Sequence, residues 1–170
     1  LLQSLDIPTR NPSFNYQGKL MTNQDAKIGW LSEITSKLSI IDYFSNQWGI
    51  EKSISAMNRA GLSEASLYLK SYNMLSAGQK YRACIAQLML QQKTVWLIDE
   101  FCADLDPITA KVIAMNIRKH VKKNKLIAFI AAANYQHFLD ALNPLSVIVL
   151  KQGYEPRVMI FKEFINEFYG

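Results

Sequence analysis

Two apolar runs of strand length, separated by one strong helix start, limit the folds open to this 170-residue chain more than any other feature. Thr94–Ile98 reads as a buried strand. Leu126–Ala132 is a continuous apolar run of the kind that parallel sheets bury on both faces. Between them, Asp106-Pro107 opens a helix, because Asp caps well and Pro suits the first helical position. That helix is expected to reach about Val121, with Ile108, Val112 and Met115 on one face. A strand, a helix and a second strand in this order make a βαβ unit, hence an α/β fold built on a mainly parallel sheet flanked by helices.

Other segments fill in around this unit. Ile40, Ile41, Phe44 and Trp48 have helical spacing, and Ile54 and Met57 continue in a second helix, so about Ser36 to Met74 reads as a small helical insert. Ser76 is placed to cap a helix running to about Gln91, with Ile85, Leu88 and Met89 buried. Lys27–Leu31 and Val147–Leu150 are expected strands, Asn15–Leu20 a strand or hairpin, and Gln136–Leu142 a helix. Residues 1–5 read as the tail of a helix stopped near Pro8, and residues 6–13 as loop. A last strand and a helical turn or two follow Glu155.

A hydrophobic fraction of 49% against 19% charged fits a folded domain and not a disordered one. No apolar run approaches the ~18 residues of a membrane-spanning helix. Cys84 and Cys102 have no CxxC or metal-ligand spacing, which points to a reducing, cytoplasmic setting. The net charge of +5 suggests nucleic acid as a partner. Its densest contributor, Arg118–Lys125, falls where a helix should end, and cations there meet the negative end of the helix dipole. His120, within that run, reads as a surface residue.

Two motifs carry chemistry. Asp99 and Glu100 follow the first apolar strand, so they emerge at the carboxyl edge of the sheet, where α/β proteins bind ligands. One acid there can hold Mg²⁺ together with phosphate oxygens, and the other can orient or deprotonate a water. Leu75-Ser76-Ala77-Gly78-Gln79 puts a hydroxyl, a glycine amide and a helix N-terminus on one spot, an arrangement that favours an anion. Gly78 lets a phosphate approach closely because it lacks a side chain. Nowhere does the chain contain the phosphate-cradling pattern G-x-x-x-x-G-K-[ST].

Taken together these motifs resemble ATP-binding cassette (ABC) ATPases. Leu75–Arg82 resembles their signature motif, Val95–Glu100 their Walker B strand with its catalytic Glu, and Asp104-Leu105-Asp106-Pro107 their D-loop, in matching order and spacing. The likeness implies a P-loop NTPase-like core (residues 1–33 and 75–152), a helical subdomain (34–74) and a C-terminal extension (153–170). It implies ATP and Mg²⁺ as ligands and a second cassette, arranged head to tail, as partner. It assigns Ser76, Gly78 and Gln79 to the partner's γ-phosphate, Asp99 to Mg²⁺, Glu100 to the attacking water and Asp106 to communication across the dimer. Leu1–Leu5 would be the helix following the Walker A loop, whose pattern is then expected upstream of Leu1.

Three positions depart from the resemblance. Glu33 stands at the Q-loop glutamine position, where a carboxylate could reach the metal. Asn134 stands at the switch-histidine position; it can hydrogen-bond phosphate or water but carries no positive charge. His137 lies nearby on an expected helix, where a structural role is the ordinary fate and the switch role the alternative. Phe101-Cys102 replaces the Pro-Thr common in transporter cassettes and leans toward soluble ABC ATPases, some of them joined to acetyltransferase-like domains. Output therefore stays open between a transporter engine with a membrane subunit, a soluble ATPase acting on nucleic acid or protein, and a non-hydrolysing interaction module.

Overall fold

The computed structural model describes residues 26–169 in full, and the backbone of residues 3–5 and 20–22. The loop expected over 6–13 and the segment Asn15–Lys19 lie outside the described residues. Gln3–Leu5 (β1) and Leu20–Thr22 (β2) pair antiparallel, Ser4 opposite Met21. The helix expected at the N-terminus is thus a strand. So short a segment cannot sustain a helix alone, and a neighbouring strand satisfies its backbone instead.

The centre of the molecule is a parallel sheet in the order β3 (Ile28–Trp30), β4 (Val95–Ile98), β5 (Ile127–Ile130). Trp30 sits opposite Leu97, and Ile98 opposite Ile130, so the three carboxyl ends share one rim. Between β3 and β4 runs the helical insert: α1 (Ile40–Trp48), α2 (Ile50–Arg59), α3 (Ala65–Tyr68) and a 3-10 turn at Tyr72–Met74. Ser39 caps α1, its hydroxyl accepting from the Asp42 amide. Gly49, at φ +81°, turns the chain from α1 to α2, a backbone angle that glycine adopts without strain. A bridge between Ser39 and Ser71 closes the insert at its base.

Helix α4 (Ala77–Leu90) returns to the sheet and passes through a tight turn into β4. The short connection makes α4 antiparallel to β4, so α4 starts at the end where β4 finishes. One core joins insert and sheet: Phe44 and Met57 from the insert, Ile85 and Leu88 from α4, and Trp96 and Ile98 from β4.

Helix α5 (Pro107–Asn124) follows β4 as expected, a turn longer than the spacing suggests, and ends with Lys125 in the left-handed region. Ile108, Val112 and Met115 do share a face, but it points outward. The packing face is Ala110, Ile113, Ala114 and Ile117, whose two alanines let the helix lie close to its neighbours. His120 is no simple surface residue: its ring stacks on Trp96 at 5.1 Å.

The strand β5 also departs from expectation. It alternates, with Ile127 and Phe129 exposed at 57% and 46%, so the described residues cover only one of its faces. Helix α6 (Leu139–Leu142) is shorter than expected, leaving His137 in the turn before it. Beyond it, β6 (Ser146–Val149) and β7 (Arg157–Ile160) form a separate hairpin. Helix α7 (Phe161–Tyr169) packs on that hairpin around Leu139, Met159 and Phe164. Among the described residues no helix is long and apolar enough to cross a membrane.

Candidate functional site at the carboxyl rim of the sheet

Four segments reach the rim. β3 leads to Glu33, β4 to Asp99 and Glu100, and β5 to Asn134, all exposed. The fourth is the start of α4, where Ser76 is exposed as well. The topology therefore places every sequence-predicted site residue at one end of the molecule, Asp106 included, since α5 begins there.

The carboxylates sit on a tightly wound loop. The Glu100 amide donates to Asp99 Oδ1 at 3.0 Å, and the other Asp99 oxygen has no hydrogen-bond partner among the described residues. Glu100 and Cys102 both adopt the left-handed region, at φ +49° and +60°, conformations that cost energy for side-chain-bearing residues. The surroundings fix that shape. The Phe101 amide donates to the Ala131 carbonyl at 2.9 Å, and its ring lies edge-on to Phe138 at 4.9 Å, deep in the core. The Ala103 amide closes the turn on the Glu100 carbonyl at 3.1 Å. Phe101 thus points inward while Asp99 and Glu100 point to solvent.

Helix α4 is braced against this loop. Tyr81 Oη accepts from the Cys102 amide at 3.0 Å, with burial driving the phenol's pKa well above its ordinary range. A Cβ on Gly78 would come 3.2 Å from Leu105 Cδ2 and 3.4 Å from the Asp104 carbonyl. The glycine therefore has a reason inside the fold, close packing of helix against loop, beside the phosphate approach read from the sequence. Arg82 ties the same turn to the insert, donating to the Gly61 carbonyl at 2.6 Å and the Gly78 carbonyl at 3.2 Å.

Ser76 and Gln79 form a reciprocal capping box. Ser76 Oγ accepts from the Gln79 amide at 3.3 Å, and Gln79 Oε1 accepts from the Ser76 amide at 3.0 Å. The Ala77 and Gly78 amides, in the first turn, have no intrahelical acceptor and remain available to an anion. Asp106 likewise caps α5, with Oδ1 accepting from the Ile108 and Thr109 amides at 3.1 and 3.0 Å. Hydrogen bonds from Thr109, then from Ile108, hold its carboxyl below the usual carboxylate range.

Around Glu33 the anchor is indirect. Gln87, buried on α4, donates to Ser32 Oγ at 2.8 Å and accepts from the Tyr43 hydroxyl at 2.8 Å. Asn134 and His137 line a pocket of about 210 Å³ with Cys102, Leu105 and Phe138. Burial pushes the Cys102 thiol up to about 12, so it is not a nucleophile at neutral pH.

Among the residues that hold the site in shape, Gly78 and Gln79 were read from sequence, while the bracing roles of Tyr81, Arg82, Gln87 and Phe101 were not. Gln87 left a faint signal, a lone polar residue inside the apolar stretch Ile85–Leu90. Tyr81, Arg82 and Phe101 stood within or beside the quoted motifs, but nothing in the sequence showed their bracing contacts, because their partners are distant in sequence. No group of three or more His, Cys, Asp or Glu suited to a metal occurs among the described residues. The donor set therefore fits Mg²⁺ only when phosphate oxygens and waters complete the shell around Asp99, which is how that ion is ordinarily held.

A sequence model described as ABC transporter matches residues 7–103. The phosphonates import ATP-binding protein PhnC of Rhizobium meliloti is 33% identical over 105 residues, covering 62% of this chain and 37% of that protein. The protein of the same name from Caulobacter vibrioides is 25% identical over 161 residues, covering 92% of this chain and 59% of its own length. Among solved structures, a bacterial Atm1-family ABC exporter with ATP bound superposes with a TM-score of 0.67 at 17% identity, over 84% of this chain and 27% of that one. A dimeric ATP-binding cassette in a post-hydrolysis state with ADP and Pi gives 0.62 at 20% identity, over 79% of this chain and 63% of that one. These two likenesses speak for the fold. The chain spans between about a third and three fifths of the length of the two curated relatives.

Proposed function

The chain belongs to the ABC transporter family of ATP-binding domains, and from that premise we propose that it supplies the signature, Walker B and D-loop portions of an ATPase that works as a head-to-tail pair of cassettes. The observation that carries this reading is the bracing of α4 against the Asp99–Leu105 loop through Tyr81 and Gly78. It makes the anion-favouring helix start and the paired acids one rigid unit, so a displacement at one is felt at the other.

In this reading the residues divide the work. Ser76 and the first-turn amides of α4 bind the γ-phosphate held by the partner cassette, with Gln79 fixing the cap that aims them. Asp99 offers its other carboxylate oxygen to Mg²⁺, and Glu33 stands at the same rim. What Mg²⁺ supplies when bound is neutralisation of charge on the transferred phosphoryl group. Glu100, exposed and held in its left-handed turn, orients the attacking water and accepts its proton. Asn134 hydrogen-bonds phosphate or water without adding positive charge, which makes for slower turnover than an imidazolium there. Asp106 secures the start of α5 and carries the D-loop at the cassette boundary.

The test is Glu100→Gln in the intact protein. Phosphate release should fall by about two orders of magnitude or more while ATP binding persists. Unchanged turnover removes Glu100 from its role. For the output, the names of the relatives favour a transporter engine seated on a membrane subunit in the cytoplasm. Co-purification with such a subunit supports it. Salt-sensitive binding of nucleic acid in its place supports the soluble alternative.

A further inference from the structure

Charge is divided between the two ends of the β3–β4–β5 sheet, and the ATPase reading uses only one of them. The carboxyl rim carries the acids already described. At the amino rim the chain enters each strand past a lysine: Lys27 before β3, Lys93 before β4 and Lys125 before β5, with Lys122 and Lys123 closing α5 beside them. Thr94 knits the three entries together. Its amide donates to the Lys27 carbonyl at 2.9 Å, its Oγ1 accepts from the Lys27 amide at 2.9 Å, and its carbonyl accepts from the Ile127 amide at 3.0 Å. Adjacent strands lie about 4.8 Å apart, so the lysines are rooted along a rim about 10 Å wide. All but the half-buried Lys93 are exposed, and residues 26–27, 91–94 and 122–126 contain no acid. Among the described residues none of the five is in an ion pair. The dipole of α5 favours Lys122 and Lys123 but gives no reason for Lys27 and Lys93, which belong to other elements.

We propose that this amino rim binds the phosphate backbone of a nucleic-acid duplex without regard to sequence. Lysine ammonium groups are point charges, suited to phosphate and lacking the planar fork that reads a base edge. No aromatic side chain is exposed on the three entries, and Trp96 of β4 is buried, so unstacked bases find no platform there. A bilayer also attracts lysines, but lasting attachment needs apolar insertion as well, and at the entries Val95 is buried and Leu126 half-buried. The exposed Ile127 belongs to the open face of the sheet and not to its end. The surface lies at the opposite end of the strands from the acids and the start of α4. The inference therefore goes beyond the ATPase reading and does not rest on it. On the question of output, it adds the charge distribution of this chain on the side of nucleic acid.

Fluorescence anisotropy of the full chain with a labelled, mixed-sequence DNA duplex, titrated with salt in the absence of ATP, tests it. About four phosphate contacts give the logarithm of the binding constant a slope of about −4 against the logarithm of salt concentration. Lys122→Gln with Lys123→Gln should bring that slope to about −2 and weaken binding at least about tenfold. Lys37→Gln with Lys52→Gln removes the same charge from exposed positions of the helical insert and should leave both nearly unchanged. ATP turnover of the intact protein should be the same in both double variants, so loss of this surface and loss of the ATPase are told apart. No binding at low salt overturns the proposal. An equal effect of the two double variants overturns it too, since net charge alone is then responsible. So does tighter binding of a single strand of the same length, or a preference between two duplexes of different sequence. An equal or tighter hold on phosphatidylserine vesicles in co-sedimentation also overturns it, since the partner is then any anionic surface.

Discussion

The two faces of the β3–β4–β5 sheet differ in how much they bury. On one, Trp96 and Ile98 lie within the core that joins α4, α5 and the helical insert, and Gly29 of β3 comes so close to α4 that a Cβ would sit 2.7 Å from Leu88 Cδ1 and 2.6 Å from Lys93 Cγ. On the other, Trp30, Ile127 and Phe129 stand exposed. Parallel sheets are ordinarily covered on both sides, so the described elements of this chain complete only half of that arrangement. The closely packed side is also the side that shapes the rim. It holds Phe101 in place, braces α4 against the acidic loop and anchors Ser32 through Gln87. The lesson is that stability and site geometry come from the same layer of contacts.

Substitutions on the two faces probe the contrast directly. Trp96→Ala should cost about 3–5 kcal/mol of stability, because it empties a fully enclosed site. Phe129→Ser should cost far less. Urea denaturation of both measures the difference, and equal losses would show the second face to be covered after all. Next in size is Gly29→Ala, where Leu88 cannot retreat from a packed core; about 1–3 kcal/mol is expected. A neutral result there means that the α4 side is looser than its geometry indicates.

Ser76→Ala removes the capping box at the rim and should cost about 1 kcal/mol. If the proposed phosphate contact is correct, it also lowers ATP turnover in the intact protein by more than the stability loss accounts for. Equal effects on both would reduce Ser76 to a cap.

The smallest effect concerns pH. His120 is stacked on Trp96, and neither Trp96 Nε1 nor His120 Nδ1 has a partner among the described residues. Burial, then Arg59 and Lys123, lowers the His120 pKa. A histidine lowered in the fold takes up its proton more readily when unfolded. Stability is therefore full above the unfolded value, near about 6.5, and declines as pH falls from there toward the folded value. His120→Phe should flatten that part of a stability–pH profile, and an unchanged profile would assign the slope to other groups.

Much of this architecture was legible from residue pattern because it depends on local chemistry. Asp106-Pro107 caps a helix wherever it occurs, and Ser76 with Gln79 forms a box within one turn. Strand-length apolar runs announced β4 and β5, and the acids after β4 could only lie at its carboxyl end. Other readings needed contacts that pattern does not encode. Ile108, Val112 and Met115 form as regular a row as the alanine-containing face that is actually buried, so periodicity could not say which side of α5 turns inward. The first residues gave no hint of pairing with Leu20–Thr22.

The chain's order of residues, then, determined which of the longer segments are helix or strand, the first few residues excepted, and which side chains could meet a phosphate or a metal, because caps, periods and turn preferences act over a few neighbouring residues. Tertiary structure alone decided which faces are covered and how the acidic loop is held. Tyr81 meets Cys102, Phe101 meets Phe138 and Gln87 meets Ser32 only once the sheet has brought them together. Contacts between positions far apart in sequence have no local signal, and those contacts are what turn a plausible motif into a shaped site.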